Sequence, residues 1–96
     1  MPRPCKRRRV SGRPNSSYFK PAGMRKIDLL ESILAIDEFE ALRLKDLLGL
    51  DQNKCSEKMN ISQSTFHRLI ISARKKIADA IVNGKAIKIE KSSDNS

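Results

Sequence analysis

The chain of 96 residues has no tryptophan, one tyrosine, three phenylalanines and one histidine. So few aromatics leave little with which to stack unpaired bases, and the basic N-terminal stretch lacks the Trp, Phe or Leu stripe of a membrane-surface helix. The two cysteines, Cys5 and Cys55, lie far apart, and neither a Cys-x-x-Cys nor a His-x-x-x-His spacing occurs. Disulfide and metal chemistry are therefore not expected, and Cys55 reads as a small buried side chain of a helix. No apolar run approaches the roughly 18 residues that span a bilayer, and the N-terminus lacks the apolar core of a secretory signal. A membrane partner is thus excluded from the reading, and a cytoplasmic location is expected. The length allows one small domain with a modest core and no cleft between domains.

What the chain does have is positive charge, +9 in all, placed unevenly. Residues 1–20 carry seven Lys and Arg and no acid, whereas residues 21–50 carry four basic against six acidic residues. Residues 51–82 return to six basic against three acidic. Clustered cations at the start and in the second half suit a polyanion, because neighbouring basic groups displace many condensed counterions together.

The stretch 51–81 organises the rest. Asp51 to Met59 reads as a short helix capped by Asp51, Asn60-Ile61 as a tight turn, and Ser62 as the cap of a longer helix. Cys55, Ser56 and Met59 face inward there, with Leu50 and Ile61 closing the angle. Beyond Ser62, residues Phe66, Leu69, Ile70, Ala73, Ile77, Ala80 and Ile81 recur at steps of three and four, which gathers them on one side. Ser64, Arg68, Ser72 and Lys75 gather on the other. A helix entered through a tight turn, held by one stripe and presenting short polar residues is what reading a major groove requires.

The stretch resembles the helix-turn-helix in the promoter-reading C-terminal domain of bacterial sigma factors. The whole chain resembles a family of small prokaryotic predicted DNA-binding proteins known as domain of unknown function 134. The residues that carry this second resemblance are 18–23 (YFKPAG), 37–46 (DEFEALRLKD), Ser62 to Arg68, 73–80 (ARKKIADA) and 83–86 (NGKA). Two positions depart from the usual motif: Asn60 stands where glycine is favoured, and Ser56 where alanine is. The resemblance implies binding to double-stranded DNA. On family-type geometry Ser62, Gln63, Ser64, His67 and Arg68 lie nearest the bases, Arg68 matching guanine and Gln63 adenine. Gln52, Lys54, Ser72, Arg74, Lys75 and Lys76 are the candidate phosphate contacts, with plain solvation as the alternative for Gln52 and Lys54. Ile71 points away from the main stripe, towards a thymine methyl or a partner subunit.

Residues 1–17 are rich in Pro, Arg and Ser and read as a disordered basic arm, in which Arg3, Lys6, Arg7, Arg8, Arg9 and Arg13 follow the phosphate backbone or enter a narrow minor groove. Tyr18 and Phe19 are expected to cover the edge of the core. From Met24 to Ile36 a short helix using Ile27, Leu30, Ile33 and Leu34 is expected to pass into an extended segment. Asp37 and Glu40 have the spacing of a capping box that starts a helix from Glu38 to about Leu48, with Phe39, Leu42, Leu44, Leu47 and Leu48 in the core and Gly49 ending it. Carboxylates so placed favour the helix dipole, and with no nucleophile or metal nearby they are not read as an acid and base pair. After Asn83-Gly84 the alternation of residues 85–90 reads as a short strand pairing with the segment around Tyr18 to Lys20. Residues 91–96 are a polar tail.

The expected architecture is therefore mainly α: a three- to four-helix helix-turn-helix domain over residues 18–90, like sigma region 4, with a disordered basic arm and a short strand pair. The expected role is a sequence-specific DNA-binding transcriptional regulator on the prokaryotic nucleoid, without catalysis or cofactor. A second copy of the chain and RNA polymerase are further candidate partners. The competing roles are a sigma-like module that docks on the transcription machinery, and an RNA-binding protein.

Overall fold

A computed structural model describes residues 9–90. The chain is mainly helical with a small three-stranded sheet. In order come strand β1 (Tyr18–Phe19), a 3₁₀ turn (Lys26–Asp28), strand β2 (Glu31–Ala35), helix α1 (Ile36–Leu42), a π-helical turn (Arg43–Leu47), helix α2 (Gln52–Met59), helix α3 (Gln63–Asn83) and strand β3 (Ala86–Glu90). Strand β3 lies between the other two, antiparallel to β1 with Tyr18 opposite Lys88, and parallel to β2 with Ile33 opposite Lys88. The expected pairing of residues 85–90 with Tyr18 is present, and β2 makes the sheet one strand wider.

The core sits where α1, α2 and α3 meet, around Ala41, Leu44, Cys55, Met59, Phe66 and Ile70. Phe66 and Met59 are fully buried. Each comes from a different helix of the turn pair, so burying them locks the angle between α2 and α3. Behind this core α3 lies on the sheet, and the Ser32 hydroxyl donates to Lys76 O at 3.0 Å.

Several expectations are corrected. Residues 24–36 form only one 3₁₀ turn before β2, and Ile27 and Leu30 are 83% and 74% exposed. The alternation Glu31-Ser32-Ile33-Leu34, buried at Ser32 and Leu34, overrides the helical spacing because β3 offers a ladder to pair with. Helix α1 starts earlier than expected, with Ala35 at its N-cap. The Glu38 carboxylate accepts from Ala35 N at 2.9 Å, so Glu38 rather than Glu40 makes the capping contact. Leu47 and Leu48 do not join the core but are exposed. The π turn, closed by the Leu48 amide on Arg43 O, inserts an extra residue into the helical repeat and rotates these leucines outward after Leu44. Ile81 is likewise exposed, while its neighbour Ala80 is buried.

Residues 9–17, the part of the expected basic arm that the structure describes, lie along the domain. The Arg9 amide donates to Met59 O, and the Ser11 and Gly12 amides donate to the Glu40 carboxylate at 3.0 and 3.2 Å. Arg3, Lys6, Arg7 and Arg8 lie outside the described residues, as does the tail 91–96. No helix among the described residues is long and apolar enough to cross a membrane.

Candidate functional site

The two helices of the turn begin and end on the residues that the sequence singles out. Asp51 Oδ1 accepts from Lys54 N at 2.8 Å and starts α2. Asn60 stops it in the left-handed conformation, φ 59°, its amide donating to Ser56 O and Glu57 O. Ser62 Oγ then accepts from Thr65 N at 3.1 Å and opens α3. Ser56 sits buried at the crossing, where its hydroxyl donates to Asn53 O at 2.9 Å. A polar residue is tolerated at so tight a contact because it finds its partner within its own helix. Burial pushes the Cys55 thiol up, so it packs as a neutral group.

Along the first turns of α3, Ser62, Gln63, Ser64, His67 and Arg68 are all exposed, while Phe66 among them and Ile70 just beyond are buried. The five therefore share one accessible surface. Arg68 and His67 make no hydrogen bond or ion pair among the described residues. Gln63 is oriented: its Nε2 donates to Asn53 Oδ1 at 3.0 Å, and Gln52 Nε2 donates to Gln63 O at 3.3 Å. These bonds tie the start of α2 to the start of α3. Asn53 was not among the expected site residues; its place one residue beyond Gln52 on the same exposed turn is the signal that could have found it.

The expected phosphate contacts divide. Lys54 and Lys75 are exposed and their ammonium groups carry no hydrogen bond or salt bridge among the described residues. Lys58, in the last turn of α2, is exposed in the same way and was not foreseen. Ser72 and Lys76 instead turn inward to Glu38, the lysine Nζ at 2.7 Å, and Arg74 holds Asp46 through two bonds of 2.6 and 3.1 Å. Helical spacing alone puts Ser72 near Arg68. A carboxylate buried beside it on α1 needs donors, and Ser72 and Lys76 on the adjoining edge of α3 supply them.

Burial pushes the Glu38 carboxyl up, but the bonds from Lys76, Ser72 and the Ala35 amide outweigh it and hold the group below the ordinary carboxylate range. Glu40 behaves alike: burial is overcome by Arg43 and by the Ser11 and Gly12 amides. Both acids are structural clamps. Among the described residues no three His, Cys, Asp or Glu side chains come together in a way that could hold a metal.

The chain matches the family described as "Protein of unknown function DUF134" over residues 1–95. A UPF0251 protein of Caldanaerobacter subterraneus subsp. tengcongensis is 57% identical over 94% of this chain and 76% of its own length. UPF0251 proteins of Thermoanaerobacter pseudethanolicus and of Dehalococcoides mccartyi are each 56% identical over 94% of the chain, covering 76% and 77% of their own lengths. No solved structure matches the chain. With a family model aligned along almost all of it and relatives identical at more than half of the aligned positions, the chain belongs to the DUF134 family.

Proposed function

We propose that the chain binds double-stranded DNA and reads its sequence by laying the first turns of α3 in the major groove, as a regulator of transcription on the nucleoid. The observation that carries this reading is the pairing of a buried stripe, Phe66, Ile70 and Ala73, with an exposed, uncommitted Arg68 on the opposite side of the same helix. A groove about 12 Å wide admits one helix and brings two or three side chains to base edges. Arg68 then pairs with a guanine through its two-pronged guanidinium. Gln63, steadied by Asn53, keeps its oxygen for an adenine amino group. Lys54, Lys58 and Lys75 flank this surface as phosphate contacts, and no covalent chemistry is involved. The location is accordingly cytoplasmic.

Selection from a random DNA pool near physiological salt tests the proposal. Enrichment of one motif is expected, and Arg68→Ala should cost about 1 to 3 kcal/mol on that motif while relaxing the preference at one base pair. A pool that stays unenriched while RNA polymerase co-purifies with the protein overturns it in favour of a docking module. One observation favours that second reading: α3 also exposes Ile71, Ile81 and Val82, apolar groups suited to a protein partner such as the polymerase or a second copy of the chain.

A further inference from the structure

Away from the turn of α2 and α3, the sheet, α1 with its π turn and α3 enclose an open groove of 640 Å³. That lies within the roughly 300 to 1,000 Å³ typical of small-molecule sites. Leu34, Phe39, Leu42, Ile77, Ile87 and Ile89 line it, and Phe19 and Leu47 stand at its open side, 51% and 77% exposed. One wall is Arg13-Pro14-Asn15, kept in place because the preceding Ser11 and Gly12 amides are fastened to Glu40. Of the charged groups at the groove, Arg43 is engaged with Glu40 through Nε and Nη2, and Asp46 is engaged with Arg74. Arg13 makes no hydrogen bond or ion pair among the described residues.

We propose that this groove binds an amphipathic anion, a free fatty-acid-like carboxylate, with its chain along the apolar floor and its head group on Arg13. Hydrocarbon covers surface that is unfavourable to leave in water. Among the described residues the one uncommitted charge at the groove is positive, so the head that complements it is negative. A polypeptide occupant would bring backbone amides and carbonyls that need partners, and the floor offers almost none. Ile77 belongs to α3 and Asp46 grips Arg74 of the same helix, so an occupant rests against the helix proposed to read DNA. That last coupling depends on the DNA reading; the binding itself does not.

The test is a titration of the full chain with decanoate, decyltrimethylammonium and decanol, without DNA, followed by the methyl NMR signals of Leu34, Ile77, Ile87 and Ile89. Decanoate should shift these signals and bind more tightly than the cationic amphiphile. Arg13→Gln, with native signal dispersion retained, should weaken decanoate by about two- to fivefold, as expected for a solvent-exposed charge pair, and leave decanol unaffected. Equal binding of both charged amphiphiles, an Arg13→Gln variant with unaltered decanoate affinity, or silence at these methyls overturns the proposal. So do groove signals that change with protein concentration in the absence of ligand, since the occupant would then be a second copy.

Discussion

Asn60 has a φ of 59°, the sole positive value at a non-glycine position among the described residues. A β-carbon in that conformation costs roughly 1 to 2 kcal/mol unless a short polar side chain offsets it, which is why asparagine can end α2 where a helix-turn-helix would favour glycine. Asn60→Ala is accordingly expected to lower stability by about 1 kcal/mol, whereas Asn60→Gly should be nearly neutral, as read from urea midpoints at constant slope. Gly12 poses the opposite problem. A β-carbon there would collide with the Arg43 side chain, which is pinned to Glu40. Gly12→Ala should therefore cost on the order of 1 to 3 kcal/mol, and less than that in an Arg43→Ala background, where the colliding side chain is gone; a double-mutant cycle of urea midpoints measures the difference. Asp51, Asn60 and Ser62 are legible in the sequence because caps act on amides two or three residues away. Glu40 is not, because the Ser11 and Gly12 amides that it holds are 29 and 28 residues distant.

Among the elements, α2 and α3 follow from their apolar periodicity, and β3 from its alternation. Strand β2 carried two patterns at once, and only the presence of β3 alongside decided between them. The π turn has no local signature, yet it alone moves Leu47 and Leu48 out of the core. What fixes α1 against α3 is Glu38, which reaches the Ala35 amide, Ser72 and Lys76 together. The carboxyls of Glu38 and Glu40 lie below their ordinary range in the folded chain. A depressed folded value means that the unfolded chain binds protons first, so the stabilisation is complete above the unfolded value of about 4.3 and is lost as pH falls through the folded values. The urea midpoint should thus stay level down to roughly pH 5 and decline below it. Glu38→Gln should lower the plateau by about 1 to 3 kcal/mol and flatten the acid limb; a limb as steep as in the unaltered protein would show that Glu38 does not carry it.

If the proposed DNA reading holds, a domain of 10.9 kDa must distinguish one DNA site among many. On that proposal charge supplies affinity and α3 supplies discrimination, and salt separates the two. The Arg9 amide on Met59 O brings the start of the described chain to the end of α2, beside the turn into α3. Because that bond uses the backbone, replacing the side chains of Arg7, Arg8 and Arg9 by alanine leaves it in place and removes charge alone. Each lost phosphate contact lowers the slope of log affinity against log salt by about 0.9, so the triple variant should flatten it by close to 3 units. It should weaken every duplex about equally, whereas Arg68→Ala should weaken the selected motif and hardly alter the slope for unrelated DNA. Fluorescence anisotropy on the selected and a scrambled duplex, from about 50 to 200 mM salt, measures both. A slope unchanged in the triple variant would mean that these three charges remain in solvent when DNA is bound, and that the attraction comes from Lys54, Lys58 and Lys75 on the folded domain.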